Sequence, residues 1–184
     1  KMTVEIENAV NYIRENLEST AVAYAIAELL RKFIHENEAS HQVFQFTIQT
    51  LEALNQQKVR HHLVYLIRYL LFLSDYLGFG WNMEQCRQCG KPPEKFPVQA
   101  DLVNGAFICG SCLAPGRQSG ISLSKLQWRL CFRLNRMELS GLPELITKIP
   151  DDLQYQPVLD LFIDHINYHT DQSFQLKSLK LLLP

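Results

Sequence analysis

No apolar run in this sequence reaches the roughly 18–20 residues that a helix needs to cross a bilayer. The longest, Leu63 to Leu77, is interrupted by Arg68 and Asp75. The start, Lys1-Met2-Thr3-Val4-Glu5, is polar and acidic and does not read as a secretory leader. Lys1 ahead of Met2 reads as the edge of a fragment. Neither sign of charge dominates: 18 Lys and Arg against 19 Asp and Glu leave a net charge of −1. Bulk charge therefore does not point to strong autonomous DNA binding, which rests on phosphate neutralisation. The chain also lacks a glycine-rich phosphate loop, a Gly-x-Ser-x-Gly elbow and a His-Glu-x-x-His helix. Those absences exclude the common nucleotide-, serine- and zinc-hydrolase chemistries. The odd cysteine count of five fits a reducing cytosol. The expectation is a cytoplasmic protein with no membrane and no small-molecule substrate.

What the chain does contain is 184 residues, 47% of them apolar, enough for one domain or one domain with a small module. Its organising feature is a double pair of cysteines, Cys86-Arg-Gln-Cys89 and Cys109-Gly-Ser-Cys112, separated by 19 residues. Each Cys-x-x-Cys turn aims two thiolates at one point, and two turns supply the four sulfurs of a closed tetrahedral zinc site. The alternatives are two disulfides, which need an oxidising compartment, or four buried free thiols, which would not fall by chance into equal pairs. Four thiolates leave no open coordination position, so the expected single Zn²⁺ is structural and not catalytic. Thiol redox chemistry would need a βαβ context that is missing.

Around this centre the sequence reads as helix, giving a mainly α fold with an inserted zinc-ribbon-like β-hairpin module. Val4, Val10, Ile13 and Leu17, with Ile6 and Ala9 beside them, predict a first helix over 4–17. Ala23, Ile26, Ala27, Leu30, Phe33 and Ile34 predict a second over 20–35. Ser40 caps a third through Val43, Phe44, Thr47, Ile48, Leu51 and Leu54. A fourth runs from about Lys58 to Leu77 and stops at Gly78; apolar on most faces, it reads as central and buried. Phe96–Ala100 and Ala106–Ile108 flank Asn104-Gly105, a hairpin signal. Ser122 or Ser124 caps a further helix whose predicted inner face is Leu123, Leu126, Leu130 and Leu134. Pro143 and Pro157 open two more. The expected division is a helical domain over 1–80 and 117–184 with a zinc-binding module over 81–116.

Charge is uneven along the chain. Residues 84–137 carry three acids (Glu84, Glu94, Asp101) and eight bases (Arg87, Lys91, Lys95, Arg117, Lys125, Arg129, Arg133, Arg136). A four-thiolate zinc site contributes about −2 and offsets part of that excess. Lys125, Arg129, Arg133 and Arg136 share one helix face, which either meets DNA phosphates or an acidic peptide, or is simply solvated. Arg68, inside the most apolar helix, needs a partner: Glu28, Asp75 or an anionic ligand. His165 and His169 sit four residues apart without a third ligand in register and read as a helix pair. His61-His62 reads as surface at a helix start, and Cys131 as a core thiol.

Several of these segments together resemble the RecO family of bacterial DNA repair proteins. They are Tyr24-Ala-Ile-Ala-Glu28-Leu29-Leu30, the long helix ending Tyr76-Leu77-Gly78-Phe79, Cys86-Arg-Gln-Cys89-Gly90, Ile108-Cys109-Gly-Ser-Cys112 and Leu176-Lys177-Ser178-Leu179-Lys180. The resemblance covers about residues 20–182, in order. It implies a recombination mediator without a turnover site. Such a protein binds single- and double-stranded DNA, RecR and the acidic C-terminal tail of SSB, helps load RecA, and anneals strands. It implies zinc on Cys86, Cys89, Cys109 and Cys112. Family members carry an N-terminal OB-fold; no succession of short strands precedes residue 20 here, so that barrel is expected to be absent and DNA binding weakened. A tail ending in acids and Phe needs an apolar pocket rimmed by cations, and Arg60 and Arg68 are the candidates. The rival reading is a zinc-ribbon helical adaptor for proteins, without DNA binding.

Overall fold

Asn16 ends one short helix and starts a long one. In the computed structural model, which describes residues 11–34, 40–56, 60–113 and 120–182, α1 (Asn11–Glu15) stops there. The Asn16 side chain then accepts from the Ser19 amide and caps α2 (Leu17–Phe33). Val4, Ile6, Ala9 and Val10 of the expected first helix lie outside the described residues. The buried face of α2 is Ala21, Val22, Ala25, Ile26, Leu29 and Phe33. It is rotated from the expected stripe, for Ala27 is exposed and Ala23, Leu30 and Ile34 are half-buried. With apolar residues on more than half of its circumference, this helix leaves the choice of inner face to its neighbours.

Ser40 caps α3 (His41–Leu54) as expected, accepting from the Val43 amide. Its buried residues are Val43, Thr47, Thr50 and Leu54, whereas Phe44 is 67% and Ile48 40% exposed. The predicted stripe is therefore corrected: the core side of α3 uses two threonines. Each threonine Oγ1 donates to the carbonyl one turn back, Thr47 to Val43 and Thr50 to Phe46, so neither hydroxyl is buried unpaired. Thr47 Oγ1 also lies 2.8 Å from the Tyr69 hydroxyl.

The buried central helix is α4 (Leu63–Tyr76). It starts later than Lys58; residues 57–59 lie outside the described set. Apart from half-buried Arg68, every side chain from Val64 to Ser74 is buried. The helix ends as the sequence indicated. Gly78 takes φ +90°, its amide donates to Asp75 O and the Phe79 amide to Ser74 O, the paired bonds of a Schellman stop. His62, just before the helix, is only 4% exposed, which corrects its assignment to the surface. Its ring turns inward, with Nδ1 2.6 Å from Glu18 Oε2.

The chain divides into two compact units, and the division falls inside α4. One comprises Lys1–Tyr69, Leu139–Ile149 and Gln175–Pro184; the other comprises Leu70–Glu138 and Pro150–Phe174. The first also contains a 3₁₀ turn at Leu139–Gly141, the short α6 (Leu142–Ile146) and a C-terminal 3₁₀ turn, Ser178–Leu181. The second contains a three-stranded antiparallel sheet, β1 (Val98–Asp101), β2 (Ala106–Ile108) and β3 (Ser122–Leu123), in the order β2-β1-β3. Asp101 pairs with Ala106, so the hairpin loop has four residues and not the two of a tight Asn-Gly turn. The Asp101 carboxylate accepts from the Asn104 amide and side chain and holds that loop. Strand β3, paired to β1 through Leu123 and Ser122, is too short to leave a sequence signal.

After β3 come α5 (Lys125–Arg136) and, later, α7 (Gln156–Thr170), with proline in its first turn. Ser124 and Gln127 form a reciprocal capping box at the start of α5. Gln127 also donates to Gln154 O, so the cap is tied to the tertiary structure. Ser124→Ala is expected to cost about 1 kcal/mol; an unchanged thermal midpoint would show that the cap contributes nothing. The inner face of α5 is Gln127, Trp128, Leu130, Cys131 and Leu134. Leu126, expected there, is 43% exposed, because the buried face is centred on Gln127, Cys131 and Leu134 and Leu126 falls beyond its edge.

Candidate metal centre and flanking surfaces

Each cysteine pair sits on a turn whose backbone bonds aim the sulfurs. At the first, the Cys86 amide donates to Lys91 O and the Gly90 amide to Cys86 O. Gly90 takes φ +69°, a conformation that a Cβ would strain. At the second, the Cys112 amide donates to Cys109 O, and the Gly110 amide to Lys95 O. A parallel bridge between Cys86 and Phe107, with the Arg87 amide donating to Phe107 O, fixes the first turn against β2. Trp81 and Phe107 rings stack behind it at 5.1 Å.

These turns bring the four sulfurs within 4.8 Å of one another, with Cys89 and Cys109 Sγ 3.9 Å apart. A tetrahedral ion with bonds of about 2.3 Å to sulfur separates its ligands by about 3.8 Å, so the donor set fits such an ion. None of the four is in a disulfide. Burial alone would raise the Cys86 thiol, but the amides of Cys109, Cys89 and Gln88 donate to its sulfur and hold it at about 6. Cys112, facing the other three sulfurs, is pushed up to about 12. A cation among them reverses that repulsion and deprotonates all four. Among the described residues this is the one group of three or more metal-type side chains that converges.

His165 and His169 are not drawn into it. His165 is fully buried, with Nδ1 2.8 Å from Leu102 O and Nε2 2.7 Å from Phe79 O. Burial pushes its pKa down, and the two carbonyls oppose that. His169 Nε2 lies 3.1 Å from Leu102 O, and its ring stacks on Phe79. The pair therefore serves the core beneath the hairpin tip. Cys131 is fully buried too, and burial raises its thiol pKa, as expected of a core thiol.

Lys125, Arg129, Arg133 and Arg136 all lie exposed on α5. Arg136 pairs with Glu84. The sequence reading missed an aromatic row along the same helix: Phe96, Trp128 and Phe132 are in successive contact at 5.6 and 5.2 Å. The i, i+4 spacing of Trp128 and Phe132 was the signal available for half of it.

In the first unit, Arg60 is exposed ahead of α4, and the Arg68 guanidinium lies 4.9 Å from the Phe46 ring centroid. Exposed Phe44 and Ile48 stand one turn apart on α3. Glu28, considered above as an Arg68 partner, accepts at one oxygen from the Lys177 amide and at the other from the amide and hydroxyl of Ser178. Two sequence segments some 150 residues apart are thereby clasped.

No described helix is long and apolar enough to cross a membrane. Residues 14–165 match the family described as recombination protein O, C terminal. The DNA repair protein RecO of Desulfatibacillum aliphaticivorans is 29% identical over 143 residues, 74% of this chain and 53% of that protein. That of Bacillus pumilus is 25% identical over 183 residues, 97% of this chain and 70% of that one. That of a Roseiflexus species is 26% identical over 155 residues, 84% and 53%. The chain spans about half the length of the first and third of these relatives.

Proposed function

Because the chain belongs to the recombination protein O family, we propose that it is the helical, metal-bearing part of a recombination mediator in DNA repair. In this reading it is a scaffold and not an enzyme. It engages DNA, RecR and the SSB tail, and so promotes RecA loading and strand annealing in the bacterial cytosol, at the nucleoid. Residues 81–116 act as the metal module within a helical frame of 1–80 and 117–184. The metal is zinc, held by Cys86, Cys89, Cys109 and Cys112; four sulfurs at tetrahedral spacing support this, and one zinc per chain is the expected result of elemental assay.

The observation that carries the partner reading is the surface of α3 and α4. The half-buried Phe46 ring, 4.9 Å from the Arg68 guanidinium, offers apolar area beside a cation, and exposed Arg60 supplies a second cation. An acidic peptide ending in Phe needs both. Fluorescence titration with such a peptide tests it: Arg68→Ala and Arg60→Ala are each expected to weaken binding roughly tenfold, the loss of about one charge-assisted contact. Absence of binding by the parent chain would sink the SSB-tail reading. The basic face of α5, Lys125, Arg129, Arg133 and Arg136, is assigned to DNA.

A further inference from the structure

We infer that the Cys89 sulfur is a modification site: a hydroperoxide oxidises it, Cys109 then joins it in a disulfide, and the metal module opens reversibly. This rests on the four-cysteine metal reading above. The four sulfurs are not equivalent. Cys86 and Cys109 are buried, Cys112 is half-buried and Cys89 is exposed. The Cys86 sulfur also accepts from the Cys109 amide at 3.2 Å and from the amides of Cys89 and Gln88, which engage its remaining lone pairs. Cys89 presents its sulfur to solvent, on the turn closed by the bond from the Gly90 amide to Cys86 O. Susceptibility of a cysteine to oxidation follows thiolate character and exposure. A bound cation gives all four the first property. Cys89 alone has the second in full.

A second thiol stands within reach. Cys109 Sγ is 3.9 Å from Cys89 Sγ, and all four sulfurs lie within 4.8 Å of one another. In the first step the Cys89 thiolate attacks the terminal oxygen of the hydroperoxide. An S–O bond forms, the O–O bond breaks, and the alkoxide or hydroxide leaves with the O–O electron pair. Cys89 is now a sulfenic acid, oxidised by two electrons, and the peroxide is reduced. In the second step the Cys109 thiolate attacks the Cys89 sulfur. The S–S bond forms, and hydroxide leaves with the S–O pair. One hydroperoxide is consumed for each disulfide made. The pairing withdraws two of the four ligands, and the ion departs. A thiol reductant reverses the disulfide by exchange. The fifth cysteine, Cys131, is 0% exposed and serves as an internal control.

Treating the zinc-loaded full chain with hydrogen peroxide tests the assignment. A metallochromic dye follows zinc release, and alkylation with peptide mass spectrometry maps the thiols. Zinc is expected to leave as a Cys89–Cys109 disulfide forms, while Cys131 stays a thiol. A dithiol with added zinc should restore the loaded chain. Cys89→His keeps a fourth ligand, since three cysteines and a histidine also make a closed zinc site. It is expected to retain zinc through a peroxide exposure that empties the parent. If that variant does not load, brief alkylation of the loaded parent decides: Cys89 should be labelled first, ahead of Cys112. Zinc kept by the parent under peroxide, oxidation that begins at Cys112 or Cys131, or a Cys89→His chain that loses zinc as fast as the parent would overturn the inference and leave the metal reading intact. A disulfide from Cys89 to another cysteine would overturn the role of Cys109. A chain that takes up no zinc would overturn both readings.

Discussion

Chelating the metal from the folded chain is expected to abolish amide protection over residues 86–112, most completely at the two cysteine turns. The hairpin module has few large apolar side chains, and a segment of that size cannot stay folded by burial alone. A structural zinc in a four-cysteine site of this kind would supply on the order of 10 kcal/mol of apparent binding free energy. The backbone bonds that shape each turn, Gly90 to Cys86 and Cys112 to Cys109, are local and weak once the sulfurs repel. The sheet has other support, since Val98, Phe107 and Leu123 are buried, so protection there should fall later than at the turns. Cys→Ser at any of the four positions should act as chelation does. Hydrogen exchange on the metal-free and metal-loaded chain reads the difference. A metal-free chain with undiminished protection over 86–112 would refute a structural metal.

The second large effect concerns Glu28. Its two carboxylate oxygens take three donors from Lys177 and Ser178, so Glu28→Ala leaves all three without their charged acceptor. Bonds to a charged group contribute about 1.5–3 kcal/mol each when buried, and partial exposure reduces that, so a total loss of about 3 kcal/mol is expected. Glu28→Gln should lose about half as much, keeping one oxygen acceptor. The loss should appear as faster exchange at residues 176–182. Burial by itself would raise the Glu28 pKa, but the Ser178 hydroxyl and the Lys177 and Ser178 amides outweigh it and lower the value below 4.5. A depressed carboxylate stabilises the fold fully above its unfolded pKa. This contribution should therefore be complete near neutrality and fade as pH falls below about 4.5 through the lower folded value. A Glu28→Gln chain with the same acid sensitivity and exchange pattern as the parent would count against the clasp.

The features read correctly from sequence share one property: their chemistry is local. Ser40 and Ser124 cap helices because a side-chain oxygen reaches an amide three residues on. Gly78 stops α4 because it alone accepts the positive φ of that turn. The four cysteines converge because each pair is already a turn. The errors share another property. α2 and α3 carry apolar residues on more than one face, and the sequence pattern favoured Ala27, Phe44 and Ile48, which the structure leaves exposed. Leu126 and His62 failed the same way, one turned out and one turned in.

By itself the sequence determined which four cysteines converge, the mainly helical class, several helix ends and the burial of α4, since spacing, caps and an all-round apolar helix leave little choice. Only the tertiary structure decided which face of α2 and α3 is core, that β3 completes the sheet, that Phe96 joins Trp128 and Phe132 in a row, and that Glu28 holds Ser178. Each of those depends on what lies opposite in space. A helix with surplus apolar surface, or a carboxylate some 150 residues from its partner, carries no record of that neighbour in its own sequence.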